Sequence, residues 1–332
     1  MYYLSILAMF KNESMIIEEW IQHYLQEGVE HFYFIDNGSN DHYETCIQKY
    51  ASYYTLVKDD TRLKHGTQTY LCNKIYLEKV KKETKWLIVC DIDEYIYARL
   101  GYQKIPDVLK VLPGHVEKIW LAWKSFGSSG LEKQPKSVIA SFLKRGNTFE
   151  NKKGEGKIII QTKNLVSIVA CGHRAELAQN DVYYTCNGDL LSSFDLDEKN
   201  YATLRLHNNH YRIMSYEYIR DVKSVRGGGE FGKNGRYKIS YLQKLDQNYN
   251  KKEDKELFEK KQLKIEVSSE WYAFKKHFRK HNQTITSKVS TFLKTSMCHS
   301  STLHETQKKE IKANVSFSLL KENDNYYIIN IV

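Results

Sequence analysis

From Tyr2 to Cys90 four apolar runs alternate with segments of helical periodicity, and this constrains the fold more than anything else in the chain. Tyr2–Phe10 is the first run, closed by Lys11-Asn12-Glu13-Ser14. Ile17, Trp20, Ile21, Tyr24 and Leu25 then recur at helical spacing, with Gly28 just past the end as a stop. Residues 29–35 form a second run ending in Asp36-Asn37-Gly38-Ser39-Asn40-Asp41, a cluster that suits a turn and a helix cap. Residues 55–58 are a third. Leu71, Cys72, Ile75, Tyr76 and Val80 mark another amphipathic helix, and residues 86–90 the fourth strand. Strand and helix in strict alternation predict an α/β fold with a mostly parallel sheet and right-handed crossovers.

The fourth run leads directly into Asp91-Ile92-Asp93-Glu94. Acids at the carboxyl end of a strand in an open α/β sheet sit where such sheets bind ligands. Two carboxylates one residue apart can hold a hard divalent cation, and they can equally cap the turn after the strand. Asn12 and Glu13 follow strand one, Asp36 follows strand two, and Arg62, Lys64 and His65 follow strand three. Strand ends converge on one rim of a parallel sheet, so a single nucleotide cleft accounts for all of these positions together.

Beyond Glu94 the pattern loosens. Residues 118–123, 157–161 and 167–171 are short β-like runs, and 247–264 are dense in Lys, Glu and Asp. A boundary near residue 240 is expected, with a mainly helical extension over 241–332 that closes on a strand at 326–332. No apolar run approaches the roughly 20 residues of a membrane span. The first ten residues lack the basic start and small-residue cleavage site of a signal peptide, so a cytoplasmic location is expected, with peripheral membrane contact if the acceptor is lipid-linked. The six cysteines include no C-x-x-C pair, which argues against a zinc site or a disulfide framework. A net charge of +10 suits polyanionic ligands. The basic residues are spread out and no recognition motif for nucleic acid is present.

Five blocks, in order, resemble the family 2-type glycosyltransferases and more narrowly the family 92 (DUF23-like) branch. They are Lys11-Asn12-Glu13 with Glu19-Trp20-Ile21; Phe32 through Asp41; Trp86 through Tyr95; Trp123-x-x-Phe126-Gly127-Ser128-Ser129-Gly130; and His210-Tyr211-Arg212 with Ser215 and Glu217. The resemblance covers residues 1–235. It implies a GT-A fold, a nucleotide-sugar donor, Mn²⁺ or Mg²⁺, and inverting transfer to a hydroxyl of a glycan, glycolipid or glycoprotein. UDP is the first candidate by its frequency in the group, not from any residue here. A sugar nucleotidyltransferase is the alternative enzyme, but it would usually carry a glycine-rich loop where Phe10-Lys11-Asn12-Glu13 stands. A non-catalytic glycan- or nucleotide-binding module is the other alternative, though it would have little use for Asp91 and Asp93.

Under this resemblance Asp93 binds the metal and Asp91 assists or contacts the ribose. His173 and His210 are further candidate metal ligands. Asp36 is expected at the nucleobase, Asn12 and Glu13 near the ribose, and Arg62 or Lys64 near base or phosphate. Lys223, Arg226 and Gly227-Gly228-Gly229 resemble a flap over the phosphates. Glu132, Glu176 and Asp181 are the candidate general bases. Phe126, Gly127 and Ser128 are expected to shape the acceptor pocket. Gln68 and Asn73 are expected to be surface polar residues.

Overall fold

The computed structural model describes residues 1–147, 156–179, 181–194, 197–226 and 238–262, and the backbone of two strands near the C-terminus. The strand β1 (Tyr2–Phe10) is buried from Leu4 to Phe10, as a strand covered on both faces must be. It pairs in parallel with β2 (His31–Asp36) on one side and β4 (Thr84–Val89) on the other. The strand β3 (Tyr54–Lys58) lies parallel outside β2. Beyond β4 the order continues through β9 (Lys157–Gln161) and β6 (Lys118–Leu121), each antiparallel to its neighbour, giving β3-β2-β1-β4-β9-β6. The order reverses between β1 and β4, which opens a crevice at their carboxyl ends.

The helix Ile17–Gln26 buries Ile17, Trp20, Ile21 and Tyr24. Its Trp20 indole N–H donates to the carbonyls of Asp91 (3.1 Å) and Glu94 (2.9 Å), tying the turn after β4 to the core. Gly28 ends the excursion at φ +91°, a left-handed conformation that other residues rarely adopt. The segment 67–83 is helical throughout, with one wide turn at Cys72–Tyr76 between Thr67–Leu71 and Leu77–Glu83.

The run expected as one strand over 118–123 is split at Ala122. Its second part, β7 (Trp123–Ser125), leaves the main sheet for a three-stranded one. There β12 (Leu206–His210) is central, antiparallel to β5 (Glu94–Ala98) and parallel to β7. A hairpin of β10 (Leu165–Val169) and β11 (Arg174–Leu177) follows β9. The short β8 (Lys144–Arg145) pairs with β13 (Lys252–Glu253).

Two compact units divide the chain, Met1–Phe258 and Glu259–Val332. The first therefore runs past the boundary expected at 240 and includes the helix Ile239–Tyr249. That helix stays with the first unit because Asp246 and Asn250 bond residues 128 and 129. The second unit was expected to be mainly helical; its described residues include an antiparallel hairpin, β14 (Phe317–Glu322) with β15 (Asn325–Ile331). No described helix is long and apolar enough to cross a membrane.

Candidate active site

The carboxyl ends of β1 and β4 bring Glu13, Asp91 and Asp93 into one crevice, and a parallel-sheet rim explains why residues so far apart in sequence meet. Asp93 is 7% exposed. The Lys223 ammonium lies 2.6 Å from its Oδ2, and His210 Nε2 lies 3.6 Å from its Oδ1. Burial alone would raise the Asp93 pKa. Lys223 and then His210 outweigh it and hold the carboxyl well below the usual range. Ligand atoms of Asp93, Glu94 and His210 all lie within 4.8 Å of one another, close enough to share one cation.

Asp91 is fully engaged. Gln68 Nε2 donates to its Oδ1 (3.0 Å) and Lys157 Nζ to its Oδ2 (3.0 Å). Burial pushes this carboxyl up, but Lys157, with His173 and the Gln68 hydrogen bond behind it, outweighs it, and the pKa ends below the ordinary value. Lys157 is wholly buried, donates to Cys171 O at 3.0 Å, and lies 3.8 Å from Glu94 Oε1. Glu94 is fully buried at the start of β5, and burial pushes its pKa well above the usual carboxylate range despite Lys157.

Glu13 is 2% exposed and accepts from both Arg226 and the Tyr218 hydroxyl. Burial raises its pKa, with Arg226 and Tyr218 opposing. Arg226 also donates to Lys11 O at 3.1 Å. Lys223 and Arg226 thus reach the crevice through Asp93 and Glu13, whereas Gly227–Gly229 lie outside the described residues. Arg62 donates to Asn37 O at 3.2 Å, and its guanidinium is lowered in pKa by burial and then by repulsion from Arg226. Lys64 is exposed.

Asp36 and Asn12 build the loops around this crevice. Asp36 accepts from Ser39 N (2.8 Å) and the Tyr43 hydroxyl (3.0 Å). Asn12, at φ +55°, accepts from Asn40 N and donates its own N–H to Ser39 Oγ, both at 2.9 Å. The Trp123 indole packs against both histidine rings, 5.2 Å from His173 and 4.6 Å from His210. The His173 Nδ1 contacts Gly156 O at 2.6 Å. A carbonyl only accepts, so Nδ1 carries the proton and Nε2 keeps a lone pair. Burial, and then Lys157, lower the His173 pKa to about 4.

Other expectations fall elsewhere. Glu132 is exposed. Glu176 is exposed and accepts from Ser167 at 2.7 Å, and Asp181 is exposed and pairs with Lys118. Neither of these two bonds reaches the Asp93 cluster. Phe126 and Ser128 are wholly buried, and Asp246 accepts from both Ser128 N and Ser128 Oγ at 2.6 Å. A Cβ on Gly127 would stand 2.5 Å from Asn250 Oδ1 and 2.8 Å from Asp246 Oδ1. The small residues at 127 and 128 admit the helix Ile239–Tyr249, which takes the space expected for an acceptor. Gln68 is 5% exposed rather than a surface residue, and Asn73 bonds the carbonyls of Thr69 and Ile168. Lys157, Glu94 and Tyr218 join the crevice without having been singled out from sequence, and Gln68 joins it against expectation. The available signal was Lys157 itself: a lysine heading the apolar Lys-Ile-Ile-Ile-Gln strand must find a buried anion.

A mostly parallel sheet that reverses order beside an Asp-x-Asp turn is the GT-A arrangement. Within that class the chain belongs to glycosyltransferase family 92, whose sequence model matches residues 2–290. A family 92 protein of Oryza sativa subsp. japonica is 25% identical over 142 residues. That match covers 42% of this chain and 24% of the rice protein, so the chain spans about a quarter of its relative's length. Among solved structures, residues 1–349 of TarS from S. aureus align at 14% identity and TM-score 0.34, covering 48% of this chain and 47% of that one. Glucosyl-3-phosphoglycerate synthase from Mycobacterium tuberculosis, solved with Mn²⁺ and UDP-glucose, aligns at 18% identity and TM-score 0.26. Coverage there is 38% of this chain and 43% of that one.

Proposed function

We propose that this chain is a metal-dependent inverting glycosyltransferase. It moves a sugar from a nucleotide-diphosphate donor, with UDP-sugars first to be tried, to a hydroxyl of a glycan or glycoconjugate. The observation that carries this reading is the convergence of Asp93, Glu94 and His210 at the crevice of a family 92 chain. The donor set fits Mn²⁺ or Mg²⁺: carboxylate oxygens with imidazole nitrogen suit Mn²⁺ in particular. His210 Nδ1 is buried without a partner among the described residues, so this ring is not fully committed to the fold. Asp93 and His210 would hold the ion, with Glu94 and His173 next to them. When bound, the dication supplies Lewis-acid neutralisation of the diphosphate leaving group.

The chain's own residues do the rest. Gln68 and Lys157 fix both oxygens of Asp91, which leaves Asp93 as the free member of the pair once Lys223 moves off. Arg226, Lys223 and Arg62 supply positive charge for phosphate oxygens, and guanidinium groups bind such oxygens in forked pairs. Asp36 and Asn12 hold the base-side loops in shape. Inverting transfer also requires a proton acceptor for the incoming hydroxyl. Glu132, Glu176 and Asp181 remain the candidates from sequence, and each would have to leave its surface position to serve.

The test is a melting-temperature series with UDP, GDP and dTDP at millimolar levels, with and without Mn²⁺, beside a hydrolysis screen of nucleotide sugars. One nucleoside diphosphate with Mn²⁺ should stabilise the protein, because ligand binds only the native state. Asp93→Ala should remove the Mn²⁺ dependence and cut turnover by about 100-fold or more. No shift with any of the three would sink the reading.

A further inference from the structure

The three-stranded sheet offers the crevice a second set of unused polar atoms. Register pairs Asn208 with Trp123 and Ile96, and His210 with Ser125 and Glu94. Paired residues in adjacent strands project to the same face, so Trp123, His210 and Glu94 share one face of this sheet. Trp123 is 6% exposed, and its indole N–H has no hydrogen-bond partner among the described residues. His210 Nδ1, on the ring 4.6 Å away, has none either. A buried donor left unpaired costs free energy, and native proteins rarely tolerate one without a use. The two atoms lie on neighbouring rings, tilted 45° to one another, beside the Asp93 carboxylate. Buried polar atoms of this kind are satisfied by a ligand that brings oxygen atoms.

We infer that Trp123 is a specificity-determining residue for the donor. Its indole N–H donates to a hydroxyl of the transferred sugar, and its ring forms a wall against which that sugar rests. The inference rests on the glycosyltransferase reading above and adds the residue that recognises the sugar as distinct from the nucleotide. The same N–H could be met by an oxygen of the diphosphate, and the two sources separate by experiment. An indole presents an apolar face and one donor, which matches a pyranose with its C–H patch and hydroxyl rim. A hydrogen-bonding site of this type rejects analogues that lack the hydroxyl, because its buried donor is then left unpaired.

The experiment is calorimetric binding to the full chain with Mn²⁺, using UDP alone, UDP-glucose, UDP-galactose and UDP-N-acetylglucosamine, on wild type and Trp123→Phe. The phenylalanine keeps an aromatic wall and removes only the donor and part of the ring. The best sugar nucleotide should bind Trp123→Phe about 3- to 10-fold more weakly, the range of one hydrogen bond. UDP should bind both proteins within twofold. A deoxy-sugar analogue lacking the bonded hydroxyl should lose affinity on wild type and no further affinity on the variant. Equal loss for UDP and sugar nucleotide would assign the N–H to the diphosphate and overturn the proposal, as would unchanged binding of both. Should the variant fail to fold, the wild-type Trp123 indole N–H signal, assigned by its proximity to the two histidine rings, decides. It should move with sugar nucleotide and stay with UDP, and the reverse pattern overturns the proposal. Wild-type protein that binds no sugar nucleotide at all overturns the glycosyltransferase reading itself, and this inference with it. Wild-type binding with an indifferent variant overturns only the role of Trp123.

Discussion

Replacing Asp246 by alanine separates two accounts of the Phe126–Gly130 block. In the structure Asp246 is 3% exposed and accepts four hydrogen bonds: from Ser128 N and Ser128 Oγ (2.6 Å each), Asn250 Nδ2 (2.8 Å) and the Tyr216 hydroxyl (3.2 Å). Asn250 and Tyr216 are part-buried and can turn to water. Ser128 is wholly buried and cannot. Bonds to a charged acceptor contribute about 1.5–3 kcal/mol each, and a buried N–H left unpaired costs about 1–3 kcal/mol. Counting the two Ser128 bonds alone, Asp246→Ala should destabilise the unit by about 3–5 kcal/mol. At roughly 2–4 °C per kcal/mol for a unit of this size, the melting temperature should fall by about 6–20 °C. Asp246→Asn keeps an acceptor and should fall less. The assay is calorimetric or circular-dichroism melting, run beside acceptor kinetics well below the transition. If Asp246→Ala melts within about 2 °C of wild type while KM for acceptor rises, the helix Ile239–Tyr249 is not the partner of this block. The block would then be the open acceptor surface first read from its small residues.

Gln68→Ala frees Asp91 Oδ1 without touching Asp93, Glu94 or His210. Removing an orienting partner of this kind typically costs 10–100-fold in metal affinity or activity, and a Mn²⁺ titration of nucleotide binding reads it. His173 gives a pH signature. Its folded pKa is lowered to about 4, so between that value and its ordinary one near 6.5 the unfolded chain binds the extra proton. Stability should therefore rise with pH across this window, by up to about 3 kcal/mol. Urea unfolding of His173→Gln at pH 4.5, 5.5 and 6.5 should show a shallower slope than wild type, and an equal slope would mean that the native imidazole is not held neutral.

The sequence made the first half of the fold readable because its cues agree with one another. Apolar runs bounded by Asn, Asp and Gly turns can only be buried parallel strands when helical periodicity separates them, and β1 to β4 lie where those runs lie. Asp91 and Asp93 were readable because strand ends in such a sheet converge. What sequence did not reveal is which partner each polar residue would meet. Gln68 on a helix looks like any solvated amide until Asp91 comes to it from 23 residues away. Ser128 and Gly127 suit a sugar pocket or a close helix equally well, and the choice is made by Asp246, 118 residues later. Glu13 meets Arg226 across 213 residues. Local pattern carries no information at such separations.

Register is what connects the fold to the site. Along β7 and β12 the side chains alternate, so Trp123 and His210 face the crevice while Lys124 and His207 face the other way. On that far side Lys124, only 2% exposed, meets Glu256 Oε2 (2.8 Å), Asp254 Oδ2 (3.1 Å) and the Tyr97 hydroxyl (2.9 Å). His207 Nδ1 reaches Glu256 at 3.0 Å. A slip of one residue would exchange the two faces, bringing Lys124 toward the crevice and leaving Asp254 and Glu256 without their cation. An uncompensated buried charge costs about 3–5 kcal/mol. The ionic cluster around Glu256 therefore penalises every register except the one that presents Trp123 and His210 to Asp93. This explains why residues 252–257 belong with the first unit although they contribute no side chain to the crevice.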